Sequence, residues 1–416
     1  MANGFAQQTP GSAQKETIAI TGATAHIGDG TVVDNCTIVL TDGKITSVGK
    51  QSAPNGAKVI DAKGKHVYPG FIAVATVLGL VEVDAVNASD DQREIGGMKP
   101  HIRSLIAYNA ESKVIESMRP NGVLMAQVAP RGGTIAGTSS IVQLDAWNWE
   151  DAALKIDGGI HMNWPGSFTS GRWWLGEDPA LKADKNYPKN IARIKSYFMN
   201  AKNYLASKND KKHLPYEATK GLFNGSQKLF IHVNGQKEIT DAVTISKELG
   251  INNIVIVNAE GAESVADLLV KHNVGVILRR PHRNPNSEDD AYDYTYTIAK
   301  VLTDKGVTLS IGMEGQMERM NTRNLPFYAG TFSAHGMDKE EALKMLTLNT
   351  AKILGIDDKV GTLEVGKDAT LFISKGDALD MRTNILSKAY IQGRDISLET
   401  HQTKLWKRYS NKYKSK

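Results

Sequence analysis

Between residues 228 and 312 the chain repeats one pattern. Apolar, β-branched runs (KLFIHVNG, NNIVIVNAEG, VGVILRRP, VTLSIGMEG) are separated by amphipathic segments (KEITDAVTISKELG, AESVADLLVKHN, YDYTYTIAKVLTDKG). The repeat length is roughly 22–28 residues, the size of one β/α unit. Strands without polar alternation are buried on both faces, so they predict a parallel sheet covered outside by helices. Right-handed crossovers close such a series into a barrel. FIAVATVLGL and NGVLMAQVAP carry the same pattern back to Pro69. The expected fold is α/β, a TIM-like (β/α)8 barrel.

Both flanks of this region read differently. Residues 17–67 alternate apolar and polar side chains, with Asp-Gly or Lys-Gly at the reversals, as short antiparallel strands require. The alternation returns from Val360 in VGTLEVGKDATLFISKGDAL and ILSKAYIQGRDISL. One small composite β-sandwich built from both ends, with the barrel inserted, accounts for this order. The expected divisions are an unordered leader at 1–15, a sandwich from 16–68 plus 358–403, a barrel at 69–357 and a basic tail at 404–416. Residues 134–164 suggest a hairpin insertion rather than a barrel unit, and residues 171–216 a helical cover over the barrel mouth. ITGATAHIGDG superficially matches a dinucleotide-binding turn, but a β-branched run follows where that motif needs a helix.

The 416 residues carry 50 Lys and Arg against 45 Asp and Glu, a net charge of only +5. The final 13 residues, KLWKRYSNKYKSK, hold six cations and no acid. A solvated terminal helix with Trp406 and Tyr409 packed on the body is the expectation there. A single cysteine, Cys36, excludes an internal disulfide and a Cys-rich metal site. No apolar run is long enough to span a membrane. Ala6 before Gln7-Gln8 resembles the region around a signal cleavage site, which tilts the expected location towards periplasmic or secreted.

Three strings carry a family resemblance: DGKI with Val48-Gly49, YPGFI at 68–72, and LNTAKILGI with VGTLEVGKDA at 348–369. Together they resemble the amidohydrolase superfamily, in its imidazolonepropionase-like branch. The resemblance implies hydrolysis of a C–N bond by a metal-bound hydroxide at the carboxyl ends of the barrel strands. It also implies metal ligands: paired histidines on the first strand, histidines on the fifth and sixth, and an aspartate on the eighth.

This chain departs from that pattern. Ala75 and Val77 stand at the paired histidine positions, Asn258 or Glu260 at the sixth strand and Met313 at the aspartate position. His232 alone matches, and Glu314 follows Met313. The candidate catalytic residues are therefore His232 and Glu314. Arg279, His282 and Asn258 are candidates for substrate binding, the arginine cluster favouring a small anionic ligand. His232, Glu260 and Glu314 form the candidate set for a single divalent ion, zinc or manganese. Two functions stay open. One is a divergent hydrolase acting on a small amide or other non-peptide C–N bond. The other is a catalytically inactive relative that binds a small ligand or pairs with an active homologue. The family implies a homo-oligomer or such a pair. Basic and aromatic residues are not interleaved along a stripe, so nucleic-acid binding has no support.

Overall fold

The computed structural model describes residues 9–208, 210–285, 289–315 and 317–414. The chain begins with β1 (Ile18–His26), β2 (Val32–Thr41), β3 (Lys44–Gly49), β4 (Lys58–Asp61) and β5 (His66–Pro69). One residue later β6 (Phe71–Thr76) opens the barrel, followed by β7 (Val123–Val128), β8 (Ile135–Gln143) and β9 (Ala153–Asn163). A two-stranded ribbon, β10 (Phe168–Thr169) and β11 (Lys182–Ala183), precedes β12 (Lys228–Val233), β13 (Ile254–Asn258), β14 (Gly275–Leu278) and β15 (Leu309–Ile311). The chain then returns through β16 (Leu371–Ser374), β17 (Leu386–Ile391) and β18 (Arg394–Asp395).

Strands β1–β5 and β16–β18 form one sheet, joined where β16 pairs antiparallel with β5 and β5 pairs parallel with β1. Its core is a separate cluster that includes Ile20, Ile38, Leu40, Val67, Leu371 and Tyr390. The amino-terminal expectation is met differently. Residues 1–8, including the cleavage-like region, lie outside the described residues. The Gly11 N–H donates to Asp145 at 2.8 Å, and the Gln14 side chain bridges Leu40 and Gly43. The part of the supposed unordered leader nearest β1 is thus tied down.

The second eight-stranded sheet runs β6-β7-β8-β9-β12-β13-β14-β15 and is drawn shut by a bridge from Val74 to Gly312. The Met313 N–H donates to the Val74 carbonyl at 3.0 Å. This is the expected TIM-like barrel with one change. β8 runs antiparallel to both β7 and β9, whereas the other neighbouring pairs are parallel. Residues 134–164 therefore form a hairpin, as their pattern suggests, but both arms are staves of the barrel rather than an insertion.

Alternation divides the apolar side chains of each stave. Ile72, Val74, Met125, Ile141, Phe230, Val255, Val257 and Ile277 fill the barrel interior. Phe71, Ala73, Leu124, Ala126, Leu229, Ile231, Ile256, Val276 and Ile311 pack outward under the helices. Burying such side chains stabilises by about 1.5–3 kcal/mol each, so register errors that swap the faces are strongly opposed. The helix Tyr187–Ala206 belongs to this outer layer. Its Tyr187 hydroxyl donates to Asp241 at 2.7 Å and Lys195 pairs with Glu248, both on the helix Gln236–Glu248. It flanks the barrel and does not cover the mouth.

Candidate active site

His232 is the fifth residue of β12, on the interior face next to Phe230. Its side chain is 11% exposed. Nδ1 faces Glu314 Oε1 at 2.7 Å. On the opposite edge of the ring, Nε2 lies 2.9 Å from Nδ1 of His161.

His161 is hidden in the sequence, where its segment reads as an insertion. It is a β9 residue, fully buried and stacked on Phe230 with ring centroids 4.7 Å apart. The other ring nitrogen, Nε2, is 2.9 Å from Ser139 Oγ and 3.3 Å from Gln127 Nε2. Burial, reinforced by neighbouring His232, holds His161 well below the usual imidazole range, so it is neutral. A signal was available: in GGIHMNW a histidine stands among apolar residues at the interior parity of a strand.

Glu314 lies just beyond β15. Burial alone would raise its carboxyl pKa. The His232 ring, Arg131 and a hydrogen bond from Asn258 outweigh this and hold it at about 2. Arg131 is fixed beside it by donating Nη1–H to the Gly315 carbonyl at 3.0 Å. Asn258 ends β13 with φ of +79°, followed by Ala259 at +57°. Left-handed backbone costs an alanine about 1–2 kcal/mol, a strain that clusters at working sites.

A cavity of about 280 Å3 is lined by Arg93, Arg131, Ala136, Asn163, His232 and Glu314. Arg93 and Arg131 also line a larger cavity of about 640 Å3 with Asp84, Asp90 and Gln92. Two buried atoms in the smaller cavity's wall have no hydrogen-bond partner among the described residues: Glu314 Oε2 and Arg131 Nη2. One carboxylate acceptor and one cationic donor, both desolvated, suit a polar ligand.

Other sequence candidates fall elsewhere. Glu260 is held by Arg279 at 2.6 Å and Arg283 at 3.4 Å. It does not join His232 and Glu314, so the expected three-residue metal set is not assembled. His282 Nε2 contacts Thr331 Oγ1 at 2.8 Å, and its ring meets Tyr328 edge-on. Neither Arg279 nor His282 lines the cavity; its cations are Arg93 and Arg131. Asn258 remains, as a support for Glu314.

The lost ligand positions have a geometric cause as well as a chemical one. Ala75 adopts φ of +52°, at a register shift between β6 and β7, and its N–H donates to Gln127 Oε1 at 3.2 Å. Ala75 packs with the interior cluster and Val77 with the outer one. Met313 also packs outward, and Glu314 is the carboxylate that reaches the mouth.

These residues do not suit a divalent ion. A catalytic zinc needs about three protein ligands with one open position. His232 Nδ1 and Glu314 Oε1 face each other at 2.7 Å rather than a common open position, and Arg131 places a positive charge against them. Among the described residues no group of three or more His, Cys, Asp or Glu is arranged to hold a metal. The donor set does not fit the family's ion.

Comparison with known proteins agrees with the fold. The model of the amidohydrolase family matches residues 216–400. A 5'-deoxyadenosine deaminase of Methanobrevibacter smithii is 24% identical over 81% of this chain and 79% of its own length. An imidazolonepropionase of Thermoplasma volcanium is 23% identical over 90% of this chain and 93% of its own. The chain is a member of the amidohydrolase superfamily. Its fold is also that of a Thermotoga maritima amidohydrolase structure, with a TM-score of 0.79 and 23% identity over 91% of this chain and 99% of that one. No helix among the described residues of this amidohydrolase is long and apolar enough to cross a membrane.

Proposed function

We propose that this amidohydrolase hydrolyses a C–N bond of a small, anionic amide or lactam at the mouth of the barrel, using His232 and Glu314 without the family's metal cluster. The observation that carries the reading is the row Glu314–His232–His161. It is drawn from three strand ends and stands beside an arginine-lined cavity. The inactive alternative draws no support from the relatives, which are named as a deaminase and an imidazolonepropionase.

Each residue has a role set by its surroundings. Gln127 donates Nε2–H to Nε2 of neutral His161, His161 donates Nδ1–H to His232 Nε2, and His232 directs its Nδ1–H at Glu314 Oε1. Water attacks the substrate carbon while its proton passes to the unpartnered Glu314 Oε2. His232 orients the carboxylate through Oε1, and the same proton then passes from Oε2 to the departing nitrogen as the C–N bond breaks. The unpartnered Arg131 Nη2–H binds negative charge, either on the substrate or developing on the attacked carbonyl oxygen. General acid–base catalysis of this kind contributes about 10²–10⁴-fold.

The test is a panel of N-acyl amino acids, carboxylated lactams and aminopurines, followed by ammonia release and ring-opening assays. Turnover of a carboxylated amide or lactam, reduced at least about 100-fold in His232→Asn, is the expected result. Absence of both turnover and binding across the panel would overturn the reading.

A further inference from the structure

The helix His401–Lys414 is fastened at one end, and no residue along its length is buried. At its start the His401 N–H donates to the Glu116 carboxylate, Thr400 is buried and Leu398 packs on the core. Beyond that, none of its 14 residues is buried. Trp406 is 65% exposed, Tyr409 50% and Tyr413 62%. The expectation that Trp406 and Tyr409 pack on the body is therefore wrong.

The arrangement around the helix is ordered. At 3.6 residues per turn, Leu405, Trp406, Tyr409 and Tyr413 share an arc of about 100°. Lys404, Lys407, Arg408, Lys412 and Lys414 occupy the remaining circumference, and the helix contains no acid. Lys407 meets Glu399 at 2.7 Å, while the guanidinium of Arg408 and the ammonium of Lys412 lie over the rings of Tyr409 and Tyr413. A helix that exposes this much aromatic surface in water needs a partner, and its charges specify an anionic one.

We propose that this helix is a peripheral membrane anchor that lies flat on an anionic lipid surface. Tryptophan and tyrosine, with an apolar body and a polar tip, suit the headgroup boundary. Flanking lysines and arginine extend their charged ends to lipid phosphates. At 14 residues and with five cations the helix lies on a bilayer rather than crossing it. Collection of Leu405, Trp406, Tyr409 and Tyr413 on one arc, with cations along its edges, favours a lipid boundary over nucleic acid.

The test is co-sedimentation of the full chain with vesicles of phosphatidylcholine alone or with a quarter phosphatidylglycerol. Binding is expected only to the anionic vesicles and falls in high salt. Each surface cation contributes about fivefold, so replacing Arg408, Lys412 and Lys414 by Gln should weaken binding roughly 100-fold. Replacing Trp406, Tyr409 and Tyr413 by Ser should abolish it, with an unchanged melting temperature because nothing buried is touched. Equal binding by a chain ending at residue 400 would overturn the proposal. So would failure to bind anionic vesicles, whether the helix instead retained RNA or joined two copies of the chain.

Discussion

Nδ1 of His161 lies 2.9 Å from Nε2 of His232, linking a fully buried imidazole to one at the wall of the cavity. One proton lies along that contact, so the tautomer of one ring sets that of the other. The consequences for stability and rate can be separated by substitution.

His161→Gln preserves a hydrogen-bonding side chain but cannot titrate. The folded pKa of His161 is depressed below its ordinary 6.5 by burial. Its stabilising contribution is therefore complete above that value and is lost as pH falls below it. The wild type should lose stability on going from pH 7 to pH 5 more steeply than His161→Gln, as followed by denaturant midpoints. Turnover should fall about 10–100-fold, because His232 loses the partner that fixes its tautomer. Parallel stability curves would show that His161 does not titrate as described.

Glu314 acts lower on the pH scale. Its carboxyl, held at about 2 against an ordinary 4.5, contributes stability above pH 4.5 that is lost as pH falls towards 2. Glu314→Gln should cost on the order of 1–3 kcal/mol at pH 7 and flatten the acid limb of the stability curve. It should also lower kcat with little effect on KM, since the carboxylate takes up its proton only during reaction.

Arg131→Met should weaken binding of carboxylated ligands roughly 10–100-fold, through loss of a charge-assisted hydrogen bond of about 1.5–3 kcal/mol. Neutral amide analogues of the same ligands should bind this variant and the wild-type protein within about twofold of each other. Calorimetric titration of each pair checks this, and equal losses for both classes would place Arg131 in a structural role instead.

Restoring histidine at Ala75 and Val77 should not restore a metal site. The two positions face different apolar clusters, and Ala75 holds a left-handed backbone. The double substitution should destabilise by about 1–3 kcal/mol through overpacking, with no stoichiometric zinc in elemental analysis. Tight binding of one zinc per chain would contradict the geometry of β6.

Much of this molecule was legible in the chain because its barrel strands are unbroken apolar runs between amphipathic helices, a pattern with few other solutions. The Tyr68-Pro69-Gly70 entry and the return after Val360 likewise fixed how the sheets connect. His232 and Glu314 were found because the family resemblance expects ligands at the carboxyl ends of their strands, with His232 at one such position and Glu314 beside another. His161 was missed because a barrel stave that runs backwards makes the next one look like an excursion. The inward turn at Ala75 depends on one backbone angle that no local pattern marks, and spacing alone therefore placed Met313 and Val77 on the wrong face. Arg93 and Arg131 lie on loops far apart in the chain, and only folding brings them to one cavity.

The most direct measurement of the central claim is the rate of C–N hydrolysis before and after exhaustive chelation, on protein whose metal content is known. The predicted result is an unchanged rate in metal-free protein and loss of at least about 100-fold in both His232→Asn and Glu314→Gln. A rate abolished by chelation and restored by one equivalent of zinc or manganese would contradict it.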